Sequence, residues 1–236
     1  MAGITDAEFL NKVTPYGFDV ATLGGYSLDE KTIEASKKII ERGRKEFHFP
    51  LDEIYSHIEN EVASIKKIHK DVKVSANVRA TTPQPIIEAS KIQGLDIIEI
   101  NCHCRQEEIL TIGCGQEMLK RTDLKDYVSE VVDNADCEVS VKIRANVEGV
   151  DTLKIASIIE DSGADYLHVD AMKKGVFDAD WETLEMLCNN VQIPIIGNNS
   201  IDSEQKIEKM RDVGVYGFSI ARALISGDLS FNISNF

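Results

Sequence analysis

Ile193-Pro-Ile-Ile-Gly-Asn-Asn-Ser-Ile-Asp202, read with the later Gly217-Phe-Ser-Ile-Ala-Arg222, decides the fold. The first part is a short apolar run ending in Gly197-Asn198-Asn199, the second an apolar run ending in Ala221-Arg222, and between them Ser203 to Val213 has helical spacing. Strand, helix, strand is a crossover unit, and crossover units build parallel sheets. Two adjacent parallel strands that end in small or amide residues point backbone N–H groups out of the sheet. The late loops of a β/α barrel hold phosphate in this way.

The same alternation extends backwards from that run. Val72–Val78, Leu95–Asn101, Glu138–Arg144 and Asp165–Asp170 read as strands, and Asp19–Leu23 as an earlier one. Helices are predicted over Pro85–Gln93, Gln116–Asn134 and Asp151–Asp161, the first stopped by Gly94 and the last by Gly163. The expected fold is α/β, a (β/α)8 TIM barrel in one domain over residues 1–236. Seven strands are clear, and Met1-Ala-Gly-Ile-Thr-Asp6 is left as the end of a truncated or short first strand. After strand 2 comes a charged helical insertion, about 27–69, with Ile33, Ile39 and Ile40, then Ile54, Ile58, Val62 and Ile65, at helical spacing. That stripe is expected to pack on the barrel.

Composition narrows the class further. The chain has 236 residues, the size of one such barrel, with ordinary apolar and charged fractions. Neither a membrane-length apolar run nor a targeting segment is present, so the expected location is cytoplasmic. A net charge of −14 argues against unaided binding to a polyanion. Lys37, Lys38, Arg42, Arg44 and Lys45 read as a solvated helix face. Five cysteines without a secretory signal argue against disulfides. Cys102, His103, Cys104 and Cys114 lack the wider spacing and second pair of structural zinc, so no metal is expected.

Chemistry in such a barrel sits at the C-terminal strand ends. Here they carry Asn77 and Arg79, Asn101 to Cys104, Lys142 and Arg144, His168 and Asp170, Asn198 and Asn199, and Arg222. That set is too polar for an empty mouth. Strand alternation puts Lys142 and Arg144 on one side, where two cations call for an anion or an electron-rich ring.

Seven short motifs add an identity. Met1-Ala-Gly-Ile-Thr-Asp6, Asn101-x-x-Cys104, Gly113-x-Gly115, Val141-Lys-Ile-Arg144, Ala179-Asp-Trp181, Ile195-Ile-Gly-Asn198 and Ile220-Ala-Arg222 occur in one order. Together the set resembles the tRNA-dihydrouridine synthase family, flavin (FMN) enzymes on a β/α barrel related to dihydroorotate dehydrogenases. The resemblance covers nearly the whole chain outside Ser27 to His69. It implies FMN as cofactor, with Met1, Ala2 and Gly3 at the ring and Asn77 at its edge. Lys142 would stabilise charge on the reduced ring, and Asn198, Asn199, Ala221 and Arg222 would hold the phosphate. Asn101 belongs to the same motif as Cys104, and Cys104 would protonate the substrate carbon next to the one receiving hydride. Arg144 is grouped with Cys104 and Lys142 as catalytic.

Departures from the pattern matter as much. The family's Asn-x-Gly-Cys-Pro is Asn101-Cys-His-Cys-Arg105, its Val-His-Gly-Arg is Val169-Asp-Ala-Met172, and its Asn-Gly-Asp is Asn198-Asn-Ser200. Asp170 must be turned away or paired, and Asn199 stands where backbone approaches phosphate. His168 reads as a packed interior histidine. The helical tRNA-gripping domain of the family is not found before Phe236. These departures imply a divergent flavoprotein that reduces or oxidises a C–C bond of a pyrimidine-like or other small cyclic substrate. A nicotinamide donor is possible, and tRNA is not expected without another chain. Two alternatives stay open: a non-redox lyase or isomerase on a phosphorylated small molecule, using Lys142 or Asp170, and a non-catalytic flavin- or phosphate-binding protein.

Overall fold

A computed structural model describes residues 2–231 and 233. In chain order the elements are α1 (Ala7–Val13), β1 (Val20–Ser27), α2 (Glu30–Glu41), α3 (Ile54–Ile68), β2 (Lys73–Arg79), α4 (Gln84–Ser90), β3 (Ile97–Cys102) and α5 (Glu107–Leu110). Then follow α6 (Leu124–Asn134), β4 (Glu138–Arg144), α7 (Thr152–Asp161), β5 (Tyr166–Asp170), α8 (Trp181–Asn190), β6 (Ile195–Asn198), α9 (Glu204–Asp212) and β7 (Gly217–Ser219). The seven strands form one parallel sheet in the order β1 to β7, a half-barrel of TIM-barrel type. At the free edge of β1, Thr5 makes a single antiparallel bridge to Gly24, where the sequence predicted a shortened first strand.

Strand alternation sorts the side chains. Val74, Ala76 and Val78 of β2, Ile98 and Ile100 of β3, and Val139, Val141 and Ile143 of β4 are buried. They alternate with polar residues on the opposite face. Of the two helices after β1, α3 buries Ile54, Ile58, Val62 and Ile65, each at most 1% exposed, against the sheet. Burial of each such side chain contributes ~1.5–3 kcal/mol. α3 is thus an ordinary crossover helix. α2 packs through Thr32, Ala35, Ser36 and Ile39, whereas Ile40 is exposed. A capping box at Asp29 and Thr32 starts α2. The second Asp29 carboxylate oxygen accepts from Thr81 N and Oγ1, tying the helix start to the end of β2.

The continuous helix predicted from Gln116 to Asn134 is two pieces, a 3-10 turn Gly115–Lys120 and then α6. Arg121 breaks it with an extended backbone, its guanidinium held by the Asp123 carboxylate and the Thr81 carbonyl. Neither proline nor glycine marks that break in the sequence. Among the described residues no helix is long and apolar enough to cross a membrane.

Candidate active site

Register across β2 to β7 lines up the polar face. Asn77 pairs with Glu99, Glu99 with Ser140, Asn101 with Lys142, Lys142 with His168, Arg144 with Asp170, and Asp170 with Asn198. Every one of these positions has the strand parity opposite to the apolar core, so one face collects the chemistry.

Glu99 sits at its centre, 3% exposed. Its carboxylate accepts from Asn77 Nδ2 at 2.7 Å and Ser140 Oγ at 3.3 Å, and meets His168 Nδ1 at 2.6 Å. Burial alone would raise its pKa. The Lys142 charge and the hydrogen bonds from His168 and Asn77 outweigh that and hold the carboxyl well below the usual range. Burial and the Lys142 charge push the His168 pKa down despite Glu99, so the imidazole is neutral at pH 7. His168 Nε2 meets Ser219 Oγ at 2.7 Å, and Asn198 Nδ2 donates to that Oγ at 2.7 Å and to the Ser219 carbonyl at 2.9 Å. On the other side Asn101 Nδ2 donates to Asn77 Oδ1 at 2.8 Å, and Asn101 Oδ1 accepts from the Cys104 backbone at 3.0 Å. Gly25 makes room for this chain, since a Cβ there would lie 2.7 Å from Asn77 Oδ1.

Charges above this layer are mostly matched. The Arg144 guanidinium pairs with Asp170 at 2.9 Å and also donates to the His103 carbonyl at 3.1 Å. The cation expected to await a ligand is therefore held by the acid expected to be unfavourable. Burial, then Lys142 and Arg144, push the His103 pKa well below its ordinary value. Arg79, 2% exposed, donates to Ser27 Oγ, Ser36 Oγ and Glu46 and reaches Cys104 Sγ at 3.8 Å. Lys142 differs. Its Nζ has no hydrogen-bond or ion-pair partner among the described residues, and it stands next to Asn101 and His168 in the register.

At the far end Asn199 adopts φ +123° and Ser200 φ +52°, the region that favours glycine. Asn199 is held there by its own side chain: Nδ2 donates to the Asp178 carbonyl at 3.1 Å, and Oδ1 accepts from Arg222 at 2.9 Å. Arg222 also donates to Ser200 Oγ at 3.1 Å. Both partners are neutral, so no carboxylate faces this guanidinium in either bond. The loss of glycine predicted to weaken this corner is offset by an asparagine, which tolerates the conformation better than most residues.

The structure brings Asn77, Asn101, Cys104, Lys142, Arg144, Asn198, Asn199, Ala221 and Arg222 to one end of the sheet. Met1 lies outside the described residues. Ala2 and Gly3 form a turn, and Gly3 (φ +68°) abuts the backbone of Lys45 and Glu46, within the segment that supplies the Arg79 counter-ion. Sequence reasoning passed over Glu99, Ser140 and Ser219 and set His168 aside. The signal was present for Glu99, an acid two positions before Asn101 in an otherwise apolar strand. No group of three or more metal-binding side chains converges among the described residues.

The residues present fit a phosphorylated ring cofactor such as FMN. An unpartnered lysine faces the centre, Asn198 Oδ1 has no partner among the described residues, and the Arg222 cation lies beside two consecutive left-handed residues.

Comparison with known proteins finds relatives of this chain. A sequence model of the family described as dihydrouridine synthase matches residues 52–230. An uncharacterized protein of Methanocaldococcus jannaschii is 37% identical over 240 residues, covering 98% of this chain and 89% of its own. The tRNA-dihydrouridine synthase B of Xanthomonas campestris is 30% identical over 160 residues, which is 64% of this chain and 48% of that protein. The chain thus aligns with about half the length of that relative. Among solved structures, a Burkholderia cenocepacia protein described as a lyase/mutase superposes with a TM-score of 0.60 at 14% identity, covering 94% of this chain and 76% of that one. At that identity the likeness concerns the fold alone.

Proposed function

The chain belongs to the dihydrouridine synthase family, and from that premise we propose that it is an FMN-dependent oxidoreductase acting on the C=C bond of a pyrimidine ring. One observation carries the reading: Lys142 is an unpartnered cation on a face where Arg144 and Arg79 are both matched by carboxylates. A lysine left free beside Glu99 and His168 suits a ligand that gains negative charge.

FMN, when bound and reduced by a nicotinamide donor, would supply hydride to one ring carbon. Cys104 Sγ–H donates the proton to the neighbouring carbon, and solvent returns it to the thiolate. The Asn101 side chain holds the Cys104 loop through its backbone N–H, and Arg79 orients the sulfur. Arg222 and the backbone at Asn199 and Ser200 would hold the phosphate. Relatives named for tRNA make an RNA-borne uridine the first substrate to test, and the expectation that tRNA is not a substrate without another chain gains no support from them. The free pyrimidine remains the second.

The test is an absorption spectrum of the purified protein and a titration with FMN. A flavin band bleached by a nicotinamide donor or dithionite, and reoxidised by a uridine-containing substrate, is the expected result. A colourless protein that fails to bind added FMN overturns the reading.

A further inference from the structure

Hydrogen bonds have a direction, and on this face nearly every direction is forced. The Ser219 carbonyl can only accept, so the Asn198 atom 2.9 Å away is Nδ2, and Oδ1 is turned from it. The Cys104 backbone N–H can only donate, so the Asn101 atom 3.0 Å away is Oδ1. Asn101 Nδ2 then faces Asn77 Oδ1, which aims Asn77 Nδ2 at Glu99. An ionised carboxylate offers acceptors alone. It takes Nδ1–H of His168, leaving Nε2 to accept the Ser219 hydroxyl, whose oxygen accepts from Asn198.

We propose that Glu99 is a positioning residue: its carboxylate, accepting on both sides, is the one group that lets both hydrogen-bond arms run in the directions their far ends require, the Cys104 backbone N–H on one side and the Ser219 carbonyl beside Asn198 on the other. It touches neither proposed reacting group. The consequence for ligand chemistry is specific. Asn198 presents Oδ1, an acceptor, and therefore meets a donor such as a hydroxyl or an imide N–H rather than a phosphate oxygen. Phosphate is left to Arg222 and the backbone of the β6–α9 loop. Asn198 and Lys142 lie on the same face, two strands apart and two residues out of register, roughly 12 Å by strand spacing and rise, so one ring system with an N–H or hydroxyl near one end and a developing anion near the other spans them.

Glu99→Gln tests this at constant volume, because an amide cannot accept at both ends. Three measurements on the full chain read it: the 15N spectrum of His168, the alkylation rate of Cys104 followed by peptide mass, and the FMN dissociation constant. Only the last rests on the proposed function.

In the parent protein His168 is expected as the Nδ1–H tautomer across neutral pH. Glu99→Gln can satisfy only one arm, so it should either lose that signature, with FMN weakened by about tenfold (~1.4 kcal/mol), or change the Cys104 rate. Ser219→Ala cuts one arm, so FMN should weaken while Cys104 alkylates at the parent rate. Glu99→Asp keeps charge and both acceptors and should keep the tautomer. It also carries the test if the glutamine variant fails to fold.

A folded Glu99→Gln protein with parent His168 and Cys104 behaviour overturns the proposal, as does an aspartate variant that loses the tautomer. Absence of FMN binding in the parent overturns the proposed function instead, leaving the other two readouts to decide on Glu99.

Discussion

Arg144 and Asp170 are register partners on adjacent strands, and their side chains, 13% and 12% exposed, form an ion pair at 2.9 Å. A pair this buried is expensive to break from one side, because the remaining charge is left without compensation. Asp170→Ala should destabilise the protein by roughly 3 kcal/mol. The double change Arg144→Met with Asp170→Leu should recover most of it. Urea midpoints of the single and double variants check this, and an additive double variant would show that the two charges are not coupled.

Asn199 combines a positive φ with two side-chain hydrogen bonds. Asn199→Ala removes both bonds in a conformation that a Cβ disfavours, so a loss of about 2 kcal/mol is expected. Asn199→Gly removes the bonds but relieves the backbone and should cost less. Both should loosen Arg222 and weaken FMN or inorganic phosphate binding. Thermal melts with and without ligand separate the two effects.

Acid should destabilise the fold in two windows. His168 has a folded pKa below its unfolded value near 6.5, so below that pH the unfolded chain binds a proton that the native state refuses. Its stabilisation is complete above ~6.5 and declines as pH falls, by up to ~1.4 kcal/mol per pH unit. His103 acts in the same direction. Glu99, with its pKa depressed, adds a second loss below about pH 4.5, where the unfolded carboxylate protonates first. Denaturation midpoints from pH 7.5 to 5 test the first window. His168→Gln should flatten that slope, and an unchanged slope would remove His168 from the account.

Lys142 lowers the pKa of both His103 and His168. Lys142→Met should therefore raise both toward the ordinary value, visible in an NMR titration of the apoprotein. The same variant should bind FMN about tenfold more weakly, ~1.4 kcal/mol. Unmoved histidine titrations would show that the lysine is solvated away from this face.

Much of the fold was legible because its signals are local. Val141-Lys-Ile-Arg144 alternates with period two, which placed Lys142 and Arg144 on one side before any tertiary contact was known; Ile98-Glu-Ile-Asn101 carries the same signal for Glu99, which went unused. Gly94 and Gly163 marked the turns that follow α4 and α7, and both have positive φ. The break at Arg121 was invisible because side-chain contacts with Asp123 and Thr81 impose it. The stripe of α3 was expected to pack on the barrel and does so, and the structure adds that α3 is the crossover helix leading into β2.

The candidate site divides in the same way. By itself the sequence determined a parallel α/β fold of TIM-barrel type with amides, cations and a cysteine at the strand ends, because backbone period and chain order dictate that. Only the tertiary structure decided which charges are matched. Arg144 finds Asp170 and Arg79 finds Glu46, whereas Lys142 is left free and Glu99 is drawn to His168. Those pairings join residues distant in sequence, as Glu99 and His168 are, and depend on strand register and burial. Periodicity can place a side chain on a face, but it cannot name the partner that will meet it there.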